Sequence, residues 1–173
     1  MPTFTLMSLP QDHTSGTAPG YPTPRAMMAD NDLALGRIVE AVSKSRFWKD
    51  TVIFVIEDDS QDGLDHVDGR RTVGFAISAH TRRHVVDSTF YNQNSILRTM
   101  ELILGLPPMT QFDLMANPMD AAFQETPDFT PYTVRPNQIP LDEMNRAVSE
   151  LHGSARIRAR KSEAGKPDAG WRG

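Results

Sequence analysis

The 173-residue sequence contains no cysteine. Disulfides, thiolate metal sites and a cysteine nucleophile are excluded, while the compartment stays open because exported proteins need not use disulfides. It also lacks long apolar runs: nothing approaches the roughly 20 apolar residues of a spanning helix. The opening MPTFTLMSLPQDH has neither the basic n-region nor the apolar h-region of a signal peptide. Positive charge is not in surplus, with 18 Lys and Arg against 22 Asp and Glu. A net charge of -4 favours solubility and supplies no basic face for nucleic acid. No Gly-rich phosphate loop and no Gly-x-Ser-x-Gly elbow occurs. A Ser-His-Asp triad is compatible with the composition, but no serine sits in a recognisable activating turn.

What is present reads as β-α-β-loop-β-α. Residues 4–9 alternate and predict a short strand stopped by Pro10, followed by a loop over 11–23. Pro24 suits a first helical turn, and Leu35, Ile38, Val39 and Val42 keep helical spacing, so a helix is expected over 24–43. The β-branched run at 51–56 suits a strand covered on both faces, expected to lie central and parallel to 4–9. A further strand is expected over 73–78. A helix is expected over 92–104, ended by Gly105 and Pro107-Pro108. Thirteen prolines point to much loop, and beyond Met109 the periodicity fails. The fold class expected is α/β, a partial central sheet flanked by helices over 1–110. A Pro-rich irregular extension over 111–153 and a disordered basic tail over 154–173 follow.

Polar clusters follow two of the expected strands. Asp12-His13 comes after the first. Asp58-Asp59, with Asp62, Asp65, His66 and Asp68, comes after the second. Ligands of open α/β sheets bind beyond the carboxyl ends of the strands, so parallel strands would bring the clusters to one edge. Carboxylates with imidazole suit a divalent cation, whose charge offsets their repulsion. Asp-rich turns also arise simply because Asp bonds its own backbone. Asp58, Ser60, Asp62 and Gly63 match the start of an EF-hand loop, but Gly69 stands where the bidentate Glu belongs, and a strand precedes the loop. Arg70-Arg71 and Arg82-Arg83 suit phosphate groups, and equally suit solvated surface.

Five segments occur in order: Leu9-Pro-Gln-Asp-His-Thr14, Ala29-Asp-Asn-Asp-Leu-Ala-Leu-Gly-Arg-Ile-Val39, Phe47-Trp-Lys-Asp-Thr51, Glu57-Asp-Asp59 and Asp65-His-Val67. Together, over about residues 3–140, they resemble the phosphoesterase branch of the alkaline phosphatase superfamily, which includes phospholipase C-like and acid phosphatase-like enzymes. The resemblance implies an α/β core that hydrolyses phosphate esters at a metal centre. There a Ser or Thr nucleophile attacks phosphorus in line and water cleaves the phosphoenzyme.

Carried over by position, the resemblance implies metal ligands at Asp12, His13, Asp58, Asp59 and His66, with Asp58 and Asp59 within about 5 Å of Asp12 or His13. Asp59 stands where many members have His, as in the acid phosphatase-like branch. The set is therefore rich in oxygen and does not distinguish manganese, zinc, magnesium and calcium. The last imidazole ligand is either His66 or a position now held by Arg70, and a guanidinium cannot ligate. Arg70 and Arg71 remain candidates for phosphate contact. The resemblance also places the first metal-binding Asp and the nucleophile upstream of Met1. The chain is thus expected to be a C-terminal portion, inactive alone, with a phosphate ester as the complete enzyme's substrate. Its partial sheet would leave an edge for self-association. The alternatives are a non-catalytic remnant and a small metal-binding or interaction module.

Overall fold

Thr23 starts the first helix. Its hydroxyl accepts from the Ala26 N–H at 3.3 Å and its carbonyl from the Met27 N–H at 3.0 Å. Pro24 follows at the first helical position, where a missing N–H costs nothing. This is α1, Pro24–Ser43, with the bounds expected from its apolar spacing. The computed structural model describes residues 2–11, 13, 15–57, 72–154 and 156–157. After α1 come a 3-10 turn at Trp48–Asp50, strand β1 at Val52–Ile56 and strand β2 at Gly74–Ser78. Helix α2 at Gln93–Leu104 and the short α3 at Gln111–Leu114 complete the order, before 3-10 turns at Asp120–Ala122 and Val148–Glu150. The chain divides into two compact units, Arg37–Val134 and Pro2–Gly36 with the chain from Arg135 onward.

In the first unit β1 and β2 form a two-stranded antiparallel sheet, with Val52 opposite Ser78 and Ile56 opposite Gly74. Helices with this small sheet make a mixed α/β arrangement, but two expectations fail. Residues 4–9 form no strand, and β1 has no parallel neighbour among the described residues. The alternation at 4–9 is present, yet Phe4, Leu6 and Met7 are all exposed, Leu6 by 85%. A pleated segment becomes a strand only when a ladder takes its N–H and C=O groups, and none is supplied here. The apolar run of β1 met the next strand in sequence, which returns antiparallel.

Around this sheet, Trp48 is buried and meets Tyr132 edge-on at 6.0 Å. The Tyr132 N–H donates to the Ser43 hydroxyl at 3.0 Å. Phe54 and Phe123 pair edge-on at 6.4 Å. Ile96 of α2 lies over Gly74, with its Cδ1 3.9 Å from where a Cβ would stand. The irregular stretch after α3 is thus tied down by specific contacts. Thr99 donates to the Ser95 carbonyl at 2.6 Å and accepts from the Met119 N–H at 2.9 Å.

In the second unit, Pro22 bridges Met144, and flanking backbone bonds join Thr23 to Glu143 and Asn145 to Tyr21. The Asn145 carboxamide donates to the carbonyls of Gly16, Ala18 and Pro22, each at 3.0 Å, and so shapes the loop before α1. No helix among the described residues is long and apolar enough to cross a membrane.

Candidate functional site

Strand β1 ends at Ile56, and Glu57 leads into residues 58–71. The two ends of that segment are held together. The Glu57 N–H donates to the Val73 carbonyl at 3.2 Å, and the Thr72 hydroxyl donates to the Glu57 carboxylate at 3.1 Å. Glu57 and Val73, which flank residues 58–71 in sequence, are thus neighbours at the end of the sheet. Beside that point lies a half-open cavity of about 250 Å³, lined by Ile56, Gln93, Asn94, Ile96, Leu97 and Met100. Its floor is apolar and its amides come from the first turn of α2. That turn is fixed by a reciprocal cap: Asn92 accepts from the Ser95 N–H at 3.0 Å, and the Ser95 hydroxyl accepts from the Asn92 N–H at 3.1 Å.

Of the expected ligands, His13 alone is described. It is exposed in a turn where its N–H donates to the Pro10 carbonyl at 3.1 Å. Asp12, Asp58, Asp59 and His66 lie outside the described residues, as do Arg70 and Arg71. The expected approach of Asp58-Asp59 to Asp12-His13 falls there too. Among the described residues no three His, Asp or Glu side chains are grouped to hold a metal.

Arg82 and Arg83 make protein contacts instead of a phosphate cradle. Arg82 Nη1 donates to the Ala121 carbonyl at 3.1 Å. Arg83 Nη1 pairs with Asp128 at 2.8 Å, and its guanidinium lies 5.0 Å over the Tyr132 ring. The Nε and Nη2 of Arg83 are buried without a hydrogen-bond partner, so the ring face is their main compensation.

Sequence reasoning missed two buried carboxyls, Glu101 and Asp113. Asp113, 0% exposed, accepts from the Met109 N–H at 2.6 Å, the Thr110 N–H at 2.8 Å and the Thr110 hydroxyl. These bonds, led by the one from the Thr110 hydroxyl, hold Asp113 well below the usual carboxylate range against the cost of burial. Glu101, also buried, takes a bond from Arg98 Nη1 at 3.2 Å. The signal was available: Thr110-x-x-Asp113 has the spacing of a capping box. Asp113 closes the N-terminus of α3 and is structural. Comparison with protein-family models, with curated proteins and with solved structures finds no match.

Proposed function

We propose that the chain is the C-terminal part of a metal-dependent phosphoesterase resembling the alkaline phosphatase superfamily, competent to bind a divalent cation but not to turn over alone. The observation that carries this reading is the junction at the end of β1. An apolar strand stops at Ile56, directly before Glu57-Asp58-Asp59, beside a cavity at the start of α2. The order of the five sequence segments supports the reading independently.

The donor set of Asp12, His13, Asp58, Asp59 and His66 fits an oxygen-preferring divalent ion, with manganese, magnesium, calcium and zinc all compatible. Such an ion, when bound, polarises a phosphoryl oxygen and offsets charge at phosphorus. Arg70 and Arg71 would add positive charge towards a phosphate ester. In-line attack needs a positioned nucleophile, and none of the five segments supplies one.

Isothermal calorimetry with manganese, zinc and calcium on the wild type and on Asp58→Ala tests the site. The expected result is binding that weakens at least tenfold in the variant, with no hydrolysis of p-nitrophenyl phosphate by either protein. Equal affinities remove Asp58 from the site. Turnover abolished by Asp58→Ala would show a complete small enzyme, with metal-bound water as its attacking group. Tight metal binding with no gain of hydrolysis on supplying the upstream portion would favour a binding module.

A further inference from the structure

The end of α2, the loop after it and α3 expose much apolar surface and no charge. Between Glu101 and Asp120 the one ionisable side chain is Asp113, and it is 0% exposed. At the chain's overall 23% charged content, residues 102–119 would hold about four such side chains. Leu106, Met109, Phe112, Leu114 and Met115 are instead exposed by 53–80%. Large apolar side chains grouped without a charge among them mark a surface for something other than water.

The backbone is prepared in the same way. Pro107 and Pro108 have no N–H to satisfy. The Gly105 and Leu106 N–H groups bond the Leu102 and Glu101 carbonyls. Met109 and Thr110 donate to the Asp113 carboxylate, and the Phe112 and Asp113 N–H groups donate to the Thr110 hydroxyl oxygen. Leu114, Met115 and Ala116 donate to the carbonyls of Thr110, Gln111 and Asp113. Every N–H from Gly105 to Ala116 other than that of Gln111 is therefore used inside the segment. A loop in water needs no such closure, because water takes its donors. A loop that leaves water must close them itself.

Shape narrows the occupant. In the single turn of α3, Phe112 and Met115 are three apart and share one side, while Leu114 lies about 200° around from Phe112. Asp113, between them, turns inward to cap the turn. Apolar groups thus point outward on opposite sides of one projecting turn. A protein face docks against one side of a helix and leaves the other in water, whereas a fluid apolar medium surrounds both.

We propose that the stretch 105–116 enters the interface of a lipid bilayer, with Phe112 and Met115 deepest. The attraction is apolar. Residues 102–119 offer lipid headgroups no cation, and the net charge of -4 gives anionic lipid no advantage. The contact attaches one face of the chain to one leaflet and spans nothing. It does not depend on the metal site.

Flotation of the full chain with phosphatidylcholine vesicles, at about 0.1 M and about 0.5 M salt, tests it. The wild type is expected to float equally at both salts. The double variant Phe112→Ser, Met115→Ser is expected to lose at least about tenfold in partition coefficient, because two large apolar side chains no longer leave water. Leu6→Ser, at another exposed apolar residue, is expected to float like the wild type. Should the double variant not fold, labelled cysteines decide, since the chain has no thiol of its own. An environment-sensitive fluorophore on Phe112→Cys is expected to shift to the blue when vesicles are added, and one on Leu6→Cys is not. The inference is overturned by a wild type that stays out of the vesicles, or by binding that needs anionic lipid and disappears in high salt. Equal losses in Leu6→Ser, or equal shifts at both fluorophores, overturn it as well. So does a wild-type dimer in sedimentation velocity that the double variant abolishes, since a second copy would then cover this surface.

Discussion

Two carboxylates show how single residues fasten the irregular parts of this chain. Glu143 accepts from the Thr23 hydroxyl at 2.7 Å and from Arg25 Nε at 2.8 Å, at the start of α1. The Arg25 bond, then the Thr23 bond, bring its carboxyl down to about 2. An ordinary Glu titrates near ~4.3, so the unfolded chain takes up the proton first as pH falls. The Glu143 contact therefore stabilises the fold fully above that ordinary value and loses its effect as pH drops through about 2. Thermal melts of the wild type and Glu143→Gln are expected to differ near neutrality and to converge as pH approaches the Glu143 value. A difference that does not change with pH would show that the carboxylate's charge is irrelevant. Asp113 acts in the same direction, its folded pKa being depressed by the Thr110 hydroxyl first. Removing that hydroxyl in Thr110→Ala is expected to cost about 1 kcal/mol in urea denaturation, the ordinary value of an N-cap. Asp113→Asn cannot accept the two backbone N–H bonds with both oxygens and is expected to be the less stable of the two. A Thr110→Ala variant as damaged as Asp113→Asn would show that the hydroxyl, not the backbone bonds, carries the contact.

At the scale of elements, the sequence was most informative where local chemistry and hydrophobic period agree. α1 carries Thr23 and Pro24 at one end and an apolar stripe along its length. α2 has a reciprocal Asn92–Ser95 cap and stops at Gly105, which takes φ 68°. There the Leu106 N–H bonds the Glu101 carbonyl at 2.8 Å, and the Gly105 N–H bonds Leu102 at 3.3 Å. No atom lies within 4 Å of a Cβ built on Gly105, so Gly105→Ala tests backbone conformation free of clashes. A loss of about 1 kcal/mol is expected, with Gly105→Asn losing less because Asn tolerates the left-handed region. Equal stability of all three by denaturant titration would mean the stop is set by Pro107-Pro108 instead. Residues 4–9 show the converse. Their alternation is as regular as that of many strands, but a period of two states only which side chains share a face. Whether a ladder exists is decided by another segment.

Over the whole molecule, the candidate site was legible as a sequence of chemical types but not as a place. Asp58-Asp59 could be assigned to the end of an apolar strand, and that strand forms and ends at Ile56. His13 could be named as a candidate ligand because imidazole and carboxylate occur together, and the structure places it, exposed, in a turn. The burial of Asp113 went unread: Thr110-x-x-Asp113 signals a cap, but the spacing does not say that the cap is covered by the rest of the chain. By itself the sequence determined α1, β1, β2 and α2, because capping, helical spacing and β-branched runs act within a few residues and need no partner. It also determined the donor chemistry available for a metal, through its abundance of carboxylates and its lack of thiols. Only the tertiary structure decided that β1 pairs antiparallel with β2 and that residues 4–9 stay unpaired. It alone decided that Arg83 lies on Tyr132 and Asp128 instead of facing outward. Those outcomes depend on which backbone edges and side chains meet across long separations in sequence, where a contact forms only if it outweighs the entropy of bringing its two ends together.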